Sequence, residues 1–107
     1  MEVTRIRTNA FLKIIIIKTI WKFKLDITDE QTISVPKKSL LLQTVLIQDG
    51  TPVVWVMCDS SIKENEDIVI VTLGTGNPIP ENIEKLLYVG TYQLLTFVGH
   101  VFVKIQK

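Results

Sequence analysis

Gly74-Thr75-Gly76-Asn77 is the segment of this 107-residue chain best furnished for chemistry. Consecutive backbone N–H groups around paired glycines can turn inward and form a nest for an anion. The Thr75 hydroxyl and the Asn77 amide would add hydrogen bonds to phosphate or ribose oxygens. The spacing lacks the Gly-Lys-Ser/Thr of a Walker loop and the third glycine of a dinucleotide fingerprint. The alternative is a plain glycine turn that positions Pro78. Tyr88 and Tyr92, four residues apart, would share one face of a regular strand and could stack a base. Lys22 and Lys24 project from the polar side of an alternating strand. With Lys37 and Lys38 they would supply positive charge for a phosphate. The same lysines would equally protect a strand edge.

His100 alternates with Val98 and Phe102, which predicts a hydrogen-bonded histidine in a core or interface. Cys58 shares a face with Val54 and Val56 and reads as a small buried hydrophobe. A Cys–His nucleophilic pair would need their strands to adjoin and a third residue to orient the imidazole. The clustered carboxylates or further histidines of acid–base catalysis are missing. One histidine and one cysteine do not make a metal site. No catalytic residue, metal ligand or cofactor is therefore assigned, and the expected activity is binding rather than turnover.

Strands must position these residues. The chain holds 15 Ile, 12 Val and 11 Thr against a single alanine, Ala10, and β-branched side chains favour pleated sheet. Trp21 to Ile27 alternates apolar and charged residues, as a half-buried strand does. Thr28 to Gln31 is a polar turn, and Thr32 to Val35 a short strand closed by Pro36. Leu40 to Gln48 and Pro52 to Asp59 flank Asp49-Gly50, a strong hairpin signal. Ser60 to Asp67 reads as a solvent loop and Ile68 to Gly74 as a strand apolar on both faces. Pro80 to Leu86 has room for one or two helical turns. Leu87 to Leu95 and Phe97 to Ile105 close the chain as a strand pair. Trp21 and Trp55 fall on apolar faces and are expected in the core. The fold class is mostly β: a small antiparallel β-sandwich or barrel of six to eight strands, with at most one short helical turn. Residues 1–107 form a single domain.

Charge and cysteine usage narrow the setting. Net charge is only +1, too little for a bulk nucleic-acid binder. It divides into +4 over residues 1–38 and −3 over residues 39–107, a polarity suited to an anionic partner or to self-association. Cys58 is the only cysteine, which excludes an intrachain disulfide and fits a reducing cytosol. Ala10 to Trp21 superficially resembles a signal-peptide core. However, Lys13 and Lys18 bracket only four isoleucines and no small-residue cleavage site follows. No run approaches the ~20 apolar residues of a membrane helix. Strands apolar on both faces (14–17, 40–47 and 68–73) predict that the chain forms a homo-oligomer.

The motif order adds a family resemblance. It is carried by Trp21-Lys22-Phe23, Ile33-Ser34-Val35-Pro36-Lys37, Gln48-Asp49-Gly50 with Pro52 and Trp55, and Gly74-Thr75-Gly76 with Pro78-Ile79. Tyr88-Val89-Gly90-Thr91 with Gln93, and His100-Val101-Phe102, complete it. Residues 19–105 thereby resemble a family of small phage- and prophage-encoded β proteins of unknown function. That family tends to carry histidine where this chain has Asn77. Residues 1–18 lie outside the resemblance, as an N-terminal strand or arm. It implies a phage accessory or counter-defence protein in the host bacterial cytosol, and no particular activity. The expected function is sequestration of a small anionic, nucleotide-like ligand at an oligomer interface. The ligand set would be Gly74, Thr75, Gly76, Asn77, Tyr88, Tyr92, Lys22 and Lys24. Alternatives are a protein–protein inhibitor of a bacterial defence enzyme, or a structural or assembly protein.

Overall fold

The computed structural model describes residues 18–105. Among these residues seven strands follow in chain order: β1 (Lys18–Lys24), β2 (Glu30–Pro36), β3 (Leu40–Gln48), β4 (Thr51–Asp59), β5 (Asn65–Gly74), β6 (Leu86–Leu94) and β7 (Phe97–Lys104). They form two antiparallel sheets, a three-stranded one in the order β1-β4-β3 and a four-stranded one in the order β2-β5-β7-β6. Their inner faces meet as a sandwich. Among the described residues the one helical turn is 3-10, Ile83–Lys85. No helix among the described residues is long and apolar enough to cross a membrane. The alternation at residues 3–8 and the isoleucine run at 14–17 lie outside the described residues.

Alternation decides which side chains enter the core. On β4, Val54, Val56 and Cys58 point inward and are buried. They meet Ile33 and Val35 of β2, Ile68 and Ile70 of β5, Val89 and Tyr92 of β6, and Val101 of β7. On β1, Phe23 packs against this cluster, while Lys22 and Lys24 face outward and are exposed. Neither tryptophan belongs to the core cluster. Trp21 faces inward on an edge strand but stays 39% exposed. Trp55 is half-buried on the outer face, because Val54 and Val56 take the inner positions beside it.

Turn chemistry sets the registers. Asp49 and Gly50 both have positive φ, 51° and 76°, as a two-residue type I′ turn requires. This turn places Gln48 opposite Thr51. β5 begins at Asn65 rather than Ile68, so the polar loop is shorter than the sequence implies. Polar Asn65, Glu66 and Asp67 extend the ladder by pairing with Pro36, Val35 and Ser34, since backbone pairing needs no apolar side chain. β5 and β6 are each antiparallel to β7, which lies between them, and so run parallel to one another. The 75–85 connection must therefore return along the sheet, and Pro78 and Pro80 line a shallow cavity together with Val71 and Leu73 of β5.

Bulges shape the side where the two sheets approach. β3 loses register with β4 between Leu41 and Val45, and β6 shifts against β7 between Tyr88 and Gly90. The two irregular stretches face each other. A Cβ added to Gly90 would lie 2.8 Å from Val45 Cγ1 and 3.3 Å from its backbone nitrogen. Because backbone is part of the obstacle, Gly90→Ala should lower the unfolding free energy by about 1–3 kcal/mol. Urea denaturation with an unchanged m-value checks this.

Candidate functional site

The outer face of the four-stranded sheet carries two rows of side chains fixed by register. Glu30, Val71, Phe102 and Tyr88 lie across β2, β5, β7 and β6 in one row. Leu73, His100 and Thr91 lie in the next. Cross-strand partners share a face, so these residues converge whatever their distance in sequence. Tyr88 and Phe102 meet edge to face, with centroids 5.6 Å apart and planes at 65°. Lys104 continues the face and pairs with Glu30 at 3.6 Å.

A continuous hydrogen-bonded chain runs across this face. Tyr88 Oη lies 2.5 Å from Thr91 Oγ1, and Thr91 Oγ1 lies 3.0 Å from His100 Nδ1. His100 Nε2 lies 2.7 Å from Thr75 Oγ1. In neutral imidazole one ring nitrogen donates and the other accepts. If Nε2–H donates to Thr75, then Thr91 donates to Nδ1 and Tyr88 donates to Thr91, leaving the Thr75 hydroxyl hydrogen free. The other tautomer reverses every bond and frees the Tyr88 hydrogen instead. The relay thus presents a donor at one end and an acceptor at the other.

The sequence-predicted residues divide. Thr75 and Tyr88 are joined by the relay, with Gly74, Gly76 and Asn77 beside Thr75. The backbone nest is not available as expected. The Thr75 N–H is spent on Val98 O at 3.2 Å and the Asn77 N–H on Gly74 O at 3.1 Å, because the loop closes its own turn and extends the β7 contact. Gly76 retains a purpose, since its φ of +93° favours glycine. Asn77 packs its amide where a Gly74 Cβ would stand, 3.0 Å from Nδ2.

Tyr92 does not share a face with Tyr88. The extra residue of the bulge reverses the alternation, so Tyr88 is 52% exposed on the outer face and Tyr92 only 4% exposed in the core. Lys22 and Lys24 lie on the outer face of the other sheet, opposite Trp55 and Val53. Lys22 Nζ donates to Gln48 Oε1 at 2.9 Å. Cys58 faces the core of that sheet and His100 the outside of its partner, so the two make no pair. Among the described residues no group of three His, Cys, Asp or Glu is placed for a metal ion.

Sequence reasoning left His100 and Thr91 outside the ligand set. Their juxtaposition was nonetheless countable. A two-residue turn at Leu95-Thr96 pairs Leu94 with Phe97, and three steps back along each strand put Thr91 opposite His100. Leu-Thr is not a recognisable turn dipeptide, and Leu95 adopts a φ of 56° there.

Residues 16–107 match the model of a domain of unknown function, DUF7352. No curated protein and no solved structure matches the chain.

Two buried groups make stability depend on alkaline pH. Burial pushes the Tyr92 hydroxyl up from its ordinary 10.0. Burial, with the neighbouring Asp59 carboxylate, pushes the Cys58 thiol up from 9.0. The folded state holds these protons longer than the unfolded state. Their contribution is therefore complete below about pH 9 and is lost as pH rises through the folded values. Tyr92 Oη is buried and has no hydrogen-bond partner among the described residues. Tyr92→Phe should then raise the unfolding free energy by about 1 kcal/mol at neutral pH. It should also flatten the decline above pH 10. Thermal unfolding at a series of pH values tests both effects.

Proposed function

The chain belongs to the DUF7352 family, and we propose that it is a non-enzymatic binding protein that captures a small, flat, anionic nucleotide-like ligand on the outer face of the four-stranded sheet. The observation that carries this reading is the Thr75–His100–Thr91–Tyr88 relay. A nucleobase or ribose offers donors and acceptors on one rigid edge, which suits a relay ending in one donor and one acceptor. Tyr88 and Phe102 supply aromatic surface for stacking. Lys104 lies on that face, paired with Glu30, and would exchange that partner for a ligand anion. Capture would be stoichiometric, with free ligand lowered only when protein matches or exceeds it. The motif resemblance to phage proteins supplies the setting, counter-defence in a bacterial cytosol.

A panel of cyclic and linear nucleotides, read by thermal shift and by ligand recovery after heat denaturation, tests the proposal. A binding nucleotide at one hundred times Kd should stabilise the fold by about 2.7 kcal/mol, and should be recovered intact. Thr75→Val and Tyr88→Phe, which each shorten the relay by one hydroxyl, should weaken that shift. A chemically altered product would make the protein an enzyme. Absence of any shift across the panel would end the nucleotide reading.

A second reading rests on the other sheet. Ile20, Met57 and Leu40 form one exposed apolar row across its outer face, with Leu46 also exposed. Contiguous apolar surface of this kind is where proteins dock, as an inhibitor on a bacterial defence enzyme or as one copy on another. Met57→Glu should abolish concentration-dependent association in light scattering if the copies meet there. A homogeneous monomer for both proteins would leave a foreign protein as the occupant.

A further inference from the structure

A recess of about 440 Å³ opens between the sheets where β3 parts from β4 and β6 begins. This lies within the roughly 300–1,000 Å³ of ligand pockets. Leu41, Leu42, Ile68, Leu87, Val89 and Val103 contribute apolar walls. Ser39, Gln43 and Glu66 contribute polar side chains.

Those polar groups are dominated by acceptors, with one Gln43 amide hydrogen as the remaining side-chain donor. Ser39 Oγ has spent its hydrogen on Pro36 O at 2.5 Å, so it can only accept. Gln43 turns its NH2 toward Tyr88 O at 3.4 Å, leaving Oε1 as a free acceptor. Glu66 pairs in register with fully buried Val35 and therefore points inward. Its Oε2 accepts from Lys38 N–H at 3.2 Å. No cation among the described residues pairs with it, the nearby Lys37 being engaged with Glu64. The carboxylate lines an aliphatic recess with one backbone N–H on Oε2 and no charged partner among the described residues. A charged donor is the strongest complement.

We propose that this recess is a second binding site, independent of the relay, for a small primary alkylammonium compound. Its aliphatic stem lies against the leucine and valine walls and its ammonium donates to Glu66, with Gln43 Oε1 and Ser39 Oγ as further acceptors. The same set of acceptors repels carboxylates and phosphates, so the recess and the outer face select opposite charges.

Hexylammonium, hexanol and hexanoate titrated into the full chain test the site. Binding is followed by calorimetry and by backbone amide shifts of Ile68, Leu87 and Val89. Hexylammonium should bind, hexanol roughly tenfold more weakly, and hexanoate more weakly still. Glu66→Gln keeps an acceptor for Lys38 N–H. It should weaken hexylammonium about tenfold and leave hexanol and any nucleotide shift unchanged. Leu87→Trp, at a half-exposed position, should narrow the recess and weaken hexylammonium and hexanol together. The proposal is overturned if hexylammonium does not bind the folded chain, if hexanol or hexanoate binds as tightly, or if Glu66→Gln changes nothing.

Discussion

One extra residue in β6 organises both candidate sites. The bulge at Val89 and Gly90 lets Tyr88 and Thr91, three apart in sequence, face the same side. In an unbroken strand that spacing would put them on opposite faces. Only then can Tyr88 Oη reach Thr91 Oγ1, and through it His100. The same displacement sends Tyr92 into the core, where it lies over Gly99; a Cβ there would come within 2.9 Å of the Tyr92 ring. Because the bulge also places Gly90 beneath Val45, β3 can approach β6 closely. The Tyr88 carbonyl, turned toward Gln43, connects that approach to the rim of the recess. A regular β6 would lose the relay and the close approach together.

The abundance of apolar residues takes its meaning from how the two sheets are covered. Inner positions on β4 and β5, such as Val54, Val56 and Ile70, are sealed from solvent. Their strand neighbours are apolar too, but face outward with unequal cover. Val71 and Leu73 share a cavity with the returning prolines and are half-buried. Ile20, Met57 and Leu40 have no such cover among the described residues and stay exposed. The difference follows from topology. A parallel relation between β5 and β6 forces a long return across one sheet, whereas the hairpin joining β3 and β4 needs none.

Much of the fold was legible in residue order because its signals are local. Asp49-Gly50 announced its own turn, and Trp21 to Ile27 its own alternation, although β1 ends at Lys24 and Ile27 is exposed. Cys58 was readable from its neighbours Val54 and Val56. The site was legible only in pieces. Thr75 and Tyr88 drew notice for their chemistry, but their connection runs through a histidine 25 residues from one and a threonine opposite it in register. Register depends on the Leu95-Thr96 turn, whose sequence advertises nothing. The Tyr88–Tyr92 pairing failed for a related reason, since a bulge reverses parity without leaving a mark that glycine alone would identify. Lys22 and Lys24 were correctly placed on an outer face. Which sheet's outer face was a question of strand order, beyond the reach of local pattern.

The two faces of β6 and its neighbours also explain why a nearly neutral chain can present distinct electrostatic surfaces. On the outside, hydroxyls and an imidazole exchange donor and acceptor roles, so their polarity is set by whatever binds. On the inside, at the recess, Glu66 and Ser39 cannot exchange roles, while the Gln43 amide keeps an acceptor oxygen and one further N–H. The Glu66 carboxylate has no hydrogen and the Ser39 hydrogen is committed to Pro36 O, so the charge at the recess is fixed by Glu66. A relay that adapts tolerates several hydrogen-bonding patterns and discriminates by shape and stacking. A fixed carboxylate discriminates by charge, because a mismatched ligand leaves it desolvated with only a backbone N–H and no counter-charge. Tyr88 links the two, with its hydroxyl in the relay and its carbonyl holding Gln43 at the recess.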